Sequence, residues 1–234
     1  MESIKRTARF AGLAYLGIII SGMFAEFFVR SNIIVQGNPA ATAENISASQ
    51  LLFRIGFSSD LMMLVFDVLV AFALFSILKT VNKNLALLAA GFRLVHASVL
   101  GANLLNHFFA LLLLSGKEFL TVFSAEQINA FASLFLTAHG YGYMIGLVFF
   151  AFHCFILGYL LYKSGFIPKV IGVLMIITSV SYFIDSFGHF ILADVYHDFS
   201  GIVLIPAIIG EFTFTFWLLI KGIKDEKPAV AETV

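Results

Sequence analysis

Residues 50–78 read QLLFRIGFSSDLMMLVFDVLVAFALFSIL, an apolar run broken by only three charged side chains, Arg54, Asp60 and Asp67. A bilayer core of about 30 Å is crossed by about 20 predominantly apolar residues in a helix. This run is long enough to cross, and it places two carboxylates where hydrocarbon would surround them. Working outward, five more stretches of the same kind appear at 9–30, 85–114, 131–162, 170–192 and 200–221. The segments between them are polar or carry helix breakers. Ser31–Ser49 holds Gly37, Asn38 and Pro39; Lys79–Asn84 is a short polar turn; Ser115–Asn129 holds Gly116 and Lys117; Lys163–Lys169 holds Gly165 and Pro168; Asp194–Asp198 closes the last hairpin. The expected fold is all-α, an integral membrane bundle of six transmembrane helices in one domain, 1–224, with residues 225–234 as a disordered polar tail.

Composition agrees with this reading. Hydrophobic residues make up 60% of the 234 positions and charged residues 12%, where soluble domains are typically near half apolar and a quarter charged. One core of this size cannot hold that excess, so much of it faces lipid. A net charge of zero carries no sign of nucleic-acid binding. The lone Cys154 excludes an internal disulfide. The apolar run 10–29 is too long for a typical cleavable leader and no small-x-small site follows it, which predicts an anchor retained as the first helix.

Basic residues orient the bundle. Lys5, Arg6, Arg9, Lys79, Lys83, Lys163, Lys169, Lys221, Lys224 and Lys227 fall on one side, against Arg30, Arg54 and Lys117 on the other. The excess of Lys and Arg on cytoplasmic loops puts both termini in the cytoplasm.

The stretch Gly158-Tyr-Leu-Leu-Tyr-Lys-Ser-Gly-Phe-Ile-Pro-Lys-Val-Ile-Gly172, followed by Tyr182-Phe-Ile-Asp185 and by Gly210-Glu211 before Trp217, resembles a family of uncharacterised bacterial multi-pass membrane proteins, a domain of unknown function (DUF 4386). The resemblance covers nearly the whole chain, from the basic N-terminus to Gly222. It implies a bacterial plasma (inner) membrane protein with this helix count. It brings no activity and no functional residues, so the candidate site rests on this sequence.

Ionisable groups within membrane helices cost a few kcal/mol each on insertion scales, and each marks a functional hypothesis. Here they are Glu26, Asp60, Asp67, Arg93, His96, His107, His139, His153, Asp185, His189 and Glu211. At about 100° per residue, Asp60 and Asp67 share a face, Arg93, His96, Asn103 and His107 lie within about 60° of one another, and His139 lines up with Gly146 and His153. Polar stripes on four helices are expected to turn inward and leave Phe and Leu to lipid. Sorted by depth, Glu26, Asp60, Asn103, His107, His139, Asp185 and His189 occupy the outer half. Asp67, Arg93, His96 and His153 occupy the inner half, and Glu211 sits near the centre, after Pro206 and Gly210. Bland readings apply to several of these. Asp67 with Arg93 reads as a structural ion pair, Glu26 with Arg30 as an i,i+4 pair, Gly142-x-x-x-Gly146 as a packing motif, Cys154 as an inert thiol, and His197 as a solvated loop residue.

Four functional readings stand side by side. In the first, His107, His139 and His189 with Asp60 or Asp185 hold zinc or iron in a water-accessible pocket of the outer half. Glu26, Asp60 or Asp185 is then the candidate base, and the target is a small or lipid-like molecule. In the second, Asp67, His96 and Glu211 relay protons in a small-molecule carrier, expected as a homodimer. In the third, His96 with His153 and His107 with His139 ligate haem. In the fourth, the polar layers only hold a membrane scaffold together.

Overall fold

A computed structural model describes residues 2–192 and 194–223. The elements are α1 (Glu2–Met23), running on through a π-helical stretch (Phe24–Arg30) into a single turn α2 (Ser31–Ile33), then α3 (Pro39–Ala48), α4 (Gln50–Leu78), α5 (Lys83–Leu113), α6 (Ala125–Lys163), α7 (Lys169–Ile191) and α8 (Asp194–Ile220). A 3₁₀ turn at Glu118–Leu120 lies between α5 and α6. No strand occurs among the described residues. Among the described residues, six helices are long and apolar enough to cross a membrane, the first running from Ile4 to Ile33 and the last from Phe199 to Ile220. The chain is a multi-pass membrane protein.

Each spanning helix packs on its neighbour in sequence, and α1 closes against α8, so the six form a ring of alternating direction. Short connections impose that order. Asn82 caps α5 by accepting the Leu85 N–H at 3.0 Å, Ser124 and Gln127 form a reciprocal capping box at the start of α6, and Gly165 turns the chain at a φ of 73° that favours glycine. The capping box starts α6 at Ala125, ahead of the apolar run expected to open it, because Glu126 and Gln127 are good helix formers outside the apolar zone. At 39 residues, α6 outlasts a bilayer core, and its ends extend beyond it.

The segment expected as a loop at 31–49 contains α3, capped by Asn38 with Pro39 in its first turn. Its buried Ile46 packs with Val29, Phe53, Leu111 and Leu136 at the outer end of the bundle. The Asn45 amide donates to the Ile33 carbonyl at 3.1 Å. The hairpin expected at 194–198 is corrected too. There α8 already begins at Asp194, which places His197 on a helix instead of a loop. The tail expected at 225–234 lies outside the described residues.

Burial is inverted relative to a soluble protein. Phe72, Leu87, Leu134 and Ile202 stand exposed on the outside, while Asp60, Asp67, Arg93, His96, Asn103, His107, His139, His153 and Asp185 are all buried. Lipid is as apolar as leucine, so the polar groups have reason to gather inside, where they find partners.

Candidate functional site

Three polar clusters result, and the outermost one brings a metal-competent set of ligands together. Among the described residues, the ligand atoms of Asp60 on α4, His107 on α5 and His139 on α6 all lie within 4.8 Å of one another. His107 is fully buried, and neither its Nδ1 nor its Nε2 has a hydrogen-bond partner. Its ring packs against Phe53 at 4.2 Å and His139 at 5.3 Å, centroid to centroid. An unsatisfied buried polar group costs about 1–3 kcal/mol, so two bare nitrogens on one ring require an explanation.

His139 is held from behind by Asn103. Its Nδ1 lies 3.3 Å from both the Asn103 backbone carbonyl oxygen and the Asn103 side-chain nitrogen. In the tautomer that donates to that carbonyl, Nε2 is left as a lone pair for a ligand, the usual way an outer partner orients a ligating histidine. The Asn103 amide in turn donates to the His139 carbonyl at 2.8 Å and accepts from Asn106 at 3.0 Å. This bracket exists because residue 142 is glycine, since a Cβ there would overlap the Asn103 Oδ1.

Asp60 is engaged by an arginine. The π-helical stretch ends at Arg30, whose Nη1 donates to Asp60 Oδ2 and whose Nε donates to Glu26 Oε2 at 2.8 Å. Arg30 is 11% exposed and Glu26 is 52% exposed, so the guanidinium bridges a half-open carboxylate to a buried one. π-Helical turns are rare and frequent at functional sites. Glu26 and Arg30 do form an i,i+4 pair, but spacing along one helix gave no sign that Arg30 also reaches across to Asp60.

Beside Asp60 and His139 lies a cavity of about 10 Å³, lined also by Met63, Leu64, Leu100, Leu104 and Tyr143. That is room for about one water. Of the pocket expected here, lined by Asp60, His107, His139, Asp185 and His189, only Asp60 and His139 line this small space. Two nitrogens and a carboxylate form a donor set that zinc and iron favour. Ligand atoms around a tetrahedral zinc with bonds of about 2.0–2.1 Å stand roughly 3.4 Å apart, so small side-chain shifts would close the set on an ion.

Asp185 and His189 do not join this set. Asp185 is buried and accepts from the Tyr196 hydroxyl at 3.3 Å, while His189 Nδ1 donates to the Asp185 carbonyl at 2.9 Å. The α7–α8 hairpin turns this face of α7 toward α8, and Gly188 admits the Tyr196 ring. Burial and the neighbouring Asp185 carboxylate push the Tyr196 hydroxyl up to about 12, so it stays a donor at neutral pH.

The inner cluster centres on fully buried Arg93. Its Nη2 lies 2.6 Å from Asp67 Oδ1, and its Nη1 lies 3.0 Å from both the Tyr15 hydroxyl and His153 Nε2. The guanidinium also sits over the Tyr15 ring at 4.6 Å. His153 Nδ1 donates to the Ala89 carbonyl at 2.8 Å, so both its nitrogens are committed and none remains for a haem iron. His96 Nδ1 donates to the Gly146 carbonyl at 2.9 Å, and its Nε2 lies 3.7 Å from Asp67 Oδ2. Glu211 accepts from the Tyr182 hydroxyl at 3.1 Å. Tyr15 and Tyr196 were not singled out from the sequence, and Tyr182 entered only through the family resemblance. The only available signal was a phenol inside an apolar helix, which needs a partner when buried.

Comparison with known proteins adds family membership without an activity. An uncharacterized protein from Archaeoglobus fulgidus is 31% identical over 163 residues, which cover 70% of this chain and 81% of that protein. No solved structure matches the chain. The family model described as a domain of unknown function (DUF4386) matches residues 10–222, and the chain belongs to that family.

Proposed function

We propose that this protein is a metal-binding membrane protein in which Asp60, His107 and His139 hold a zinc or iron ion in the outer half of the bilayer, for chemistry on, or binding of, a small or lipid-like molecule. One observation carries the reading: three ligands from three helices converge within 4.8 Å, and the central one, His107, is buried with both nitrogens unpartnered. A bound ion of this class polarises a carbonyl or water held beside it. The protein's own contribution is to orient His139 through Asn103 and to keep the acid groups Asp60 and Glu26 in place around Arg30. The lysine-rich face is the cytoplasmic one on the positive-inside rule, in a bacterial plasma membrane.

The test is elemental analysis of the detergent-purified protein beside a His107→Ala, His139→Ala double variant. Near-stoichiometric zinc or iron that disappears in the double variant is the expected result. Metal retained by the double variant, or none taken up by the wild type when zinc, iron or cobalt is supplied, overturns the reading. A proton-coupled carrier is the second reading, favoured by the Glu211 carboxylate at the middle of α8 with the Tyr182 hydroxyl on it. Glu211→Gln would then abolish pH-driven uptake in vesicles.

A further inference from the structure

We infer that Arg30 is the resident counter-cation of the outer site, and that an incoming divalent transition-metal ion exchanges with it for Asp60 while Glu26 retains the guanidinium. The inference rests on the metal reading above and adds the step by which the site fills and the class of cation it admits.

Three features of the arrangement point this way. First, Asp60 is a buried carboxylate whose partner is Arg30, and an unpaired charge there would be expensive. The guanidinium keeps the site stable before any metal arrives. Second, Arg30 satisfies only part of the cluster. It neutralises Asp60 but makes no hydrogen bond to His107, whose two nitrogens stay bare. A transition-metal ion takes the carboxylate and one lone-pair nitrogen from each imidazole together, while the other nitrogen of each ring keeps its proton. Third, Arg30 has somewhere to go. Its Nε is already on Glu26 at 2.8 Å, and Ser31 Oγ lies 3.5 Å from the other Glu26 oxygen. Glu26 is half exposed, in the first turn of the π-helical stretch. When Asp60 turns to the ion, the guanidinium remains paired at the outer interface.

Selectivity follows. Hard ions such as Mg²⁺ and Ca²⁺ prefer oxygen ligands, so here they would have to take Asp60 from Arg30 with little help from imidazole. Zinc, cobalt and iron gain two nitrogen bonds in the same exchange. Arg30 thus acts as a selectivity-determining residue that favours nitrogen-seeking ions.

The experiment is Co²⁺ titration of the full-length protein in detergent, read by its visible absorption, for wild type, Arg30→Gln, Glu26→Gln and His107→Ala, with unfolding measured on each. Arg30→Gln is expected to tighten Co²⁺ binding by at least about tenfold and to let millimolar Mg²⁺ compete. Glu26→Gln is expected to weaken binding, since Arg30 is then left to Asp60 alone. A purely structural arginine gives the opposite result for Arg30→Gln: weaker binding with lower stability. If Arg30→Gln fails to fold, the surface change Glu26→Gln decides, and affinity unchanged or tightened in it overturns the exchange. Affinities within about twofold of wild type in both variants, with binding still lost in His107→Ala, overturn the exchange and leave the metal site standing. Absence of Co²⁺ binding in the wild type overturns both.

Discussion

Replacing Asp67 by Asn leaves the fully buried Arg93 with the Tyr15 hydroxyl and His153 Nε2 at 3.0 Å each but without the carboxylate now 2.6 Å from Nη2. The amide keeps the shape and one acceptor, so little packing is lost, and the charge is what remains uncompensated. Breaking a buried pair by removing one partner costs about 3–5 kcal/mol. Asn sits at the lower end, so about 3 kcal/mol is expected, roughly a hundredfold in the unfolding constant. Removing both charges with Asp67→Leu and Arg93→Met costs less, about 1–2 kcal/mol, from the partners that Tyr15 and His153 lose. The double variant is then more stable than Asp67→Asn alone. Equilibrium unfolding in mixed micelles, followed by far-UV circular dichroism, measures the set. A cost for Asp67→Asn below about 1 kcal/mol, or a double variant less stable than the single one, would refute the view that a dry, uncompensated guanidinium dominates the effect.

Glycine substitutions test the geometry elsewhere. At Gly142 a new Cβ meets the Asn103 amide. Gly142→Ala should therefore drive Asn103 off His139, weaken Co²⁺ binding by about 10–100-fold in the same titration, and destabilise the bundle by about 1–3 kcal/mol. At Gly172 a Cβ would lie 2.6 Å from the Tyr162 nitrogen and 2.7 Å from the Gly158 carbonyl oxygen. Backbone cannot move aside as a side chain does, so Gly172→Ala should separate α6 from α7 and cost about 1–3 kcal/mol in micelle unfolding. Gly91, with nothing within 4 Å of a Cβ, is the control, and its change to Ala should be neutral or stabilising by up to about 1 kcal/mol.

Particular residues show how far the chain alone could be read. The span 50–78 is the same in sequence and structure, because its ends coincide with the limits of an apolar run. The end of the first span was harder. Nothing in Phe24–Arg30 announces a π-helical turn, at whose end Arg30 reaches across to Asp60. Gly142 and Gly146 read as a packing motif, and each does face α5, against Asn103 and Leu100 respectively. The closer contact of Gly158 with Gly172 joins two helices and leaves no spacing motif in either. Depth, estimated from span midpoints, put Asp60, His107, His139, Asp185 and His189 in one layer. Depth says nothing about position around the ring, and the ring separates the last two from the first three.

The chain by itself determined six helices, their alternating direction, and an interior that collects the ionisable groups. Hydrocarbon imposes these locally: it requires every spanning segment to satisfy its own backbone, and it makes any exposed charge costly. The tertiary structure alone decided which polar groups meet. That Arg30 takes Asp60, that Arg93 takes Asp67 with Tyr15 and His153, and that His107 is left with bare nitrogens depends on how the helices rotate and close α1 against α8. Each of those pairings joins residues at least 26 positions apart, and the energy that selects them is packing summed over whole helix faces.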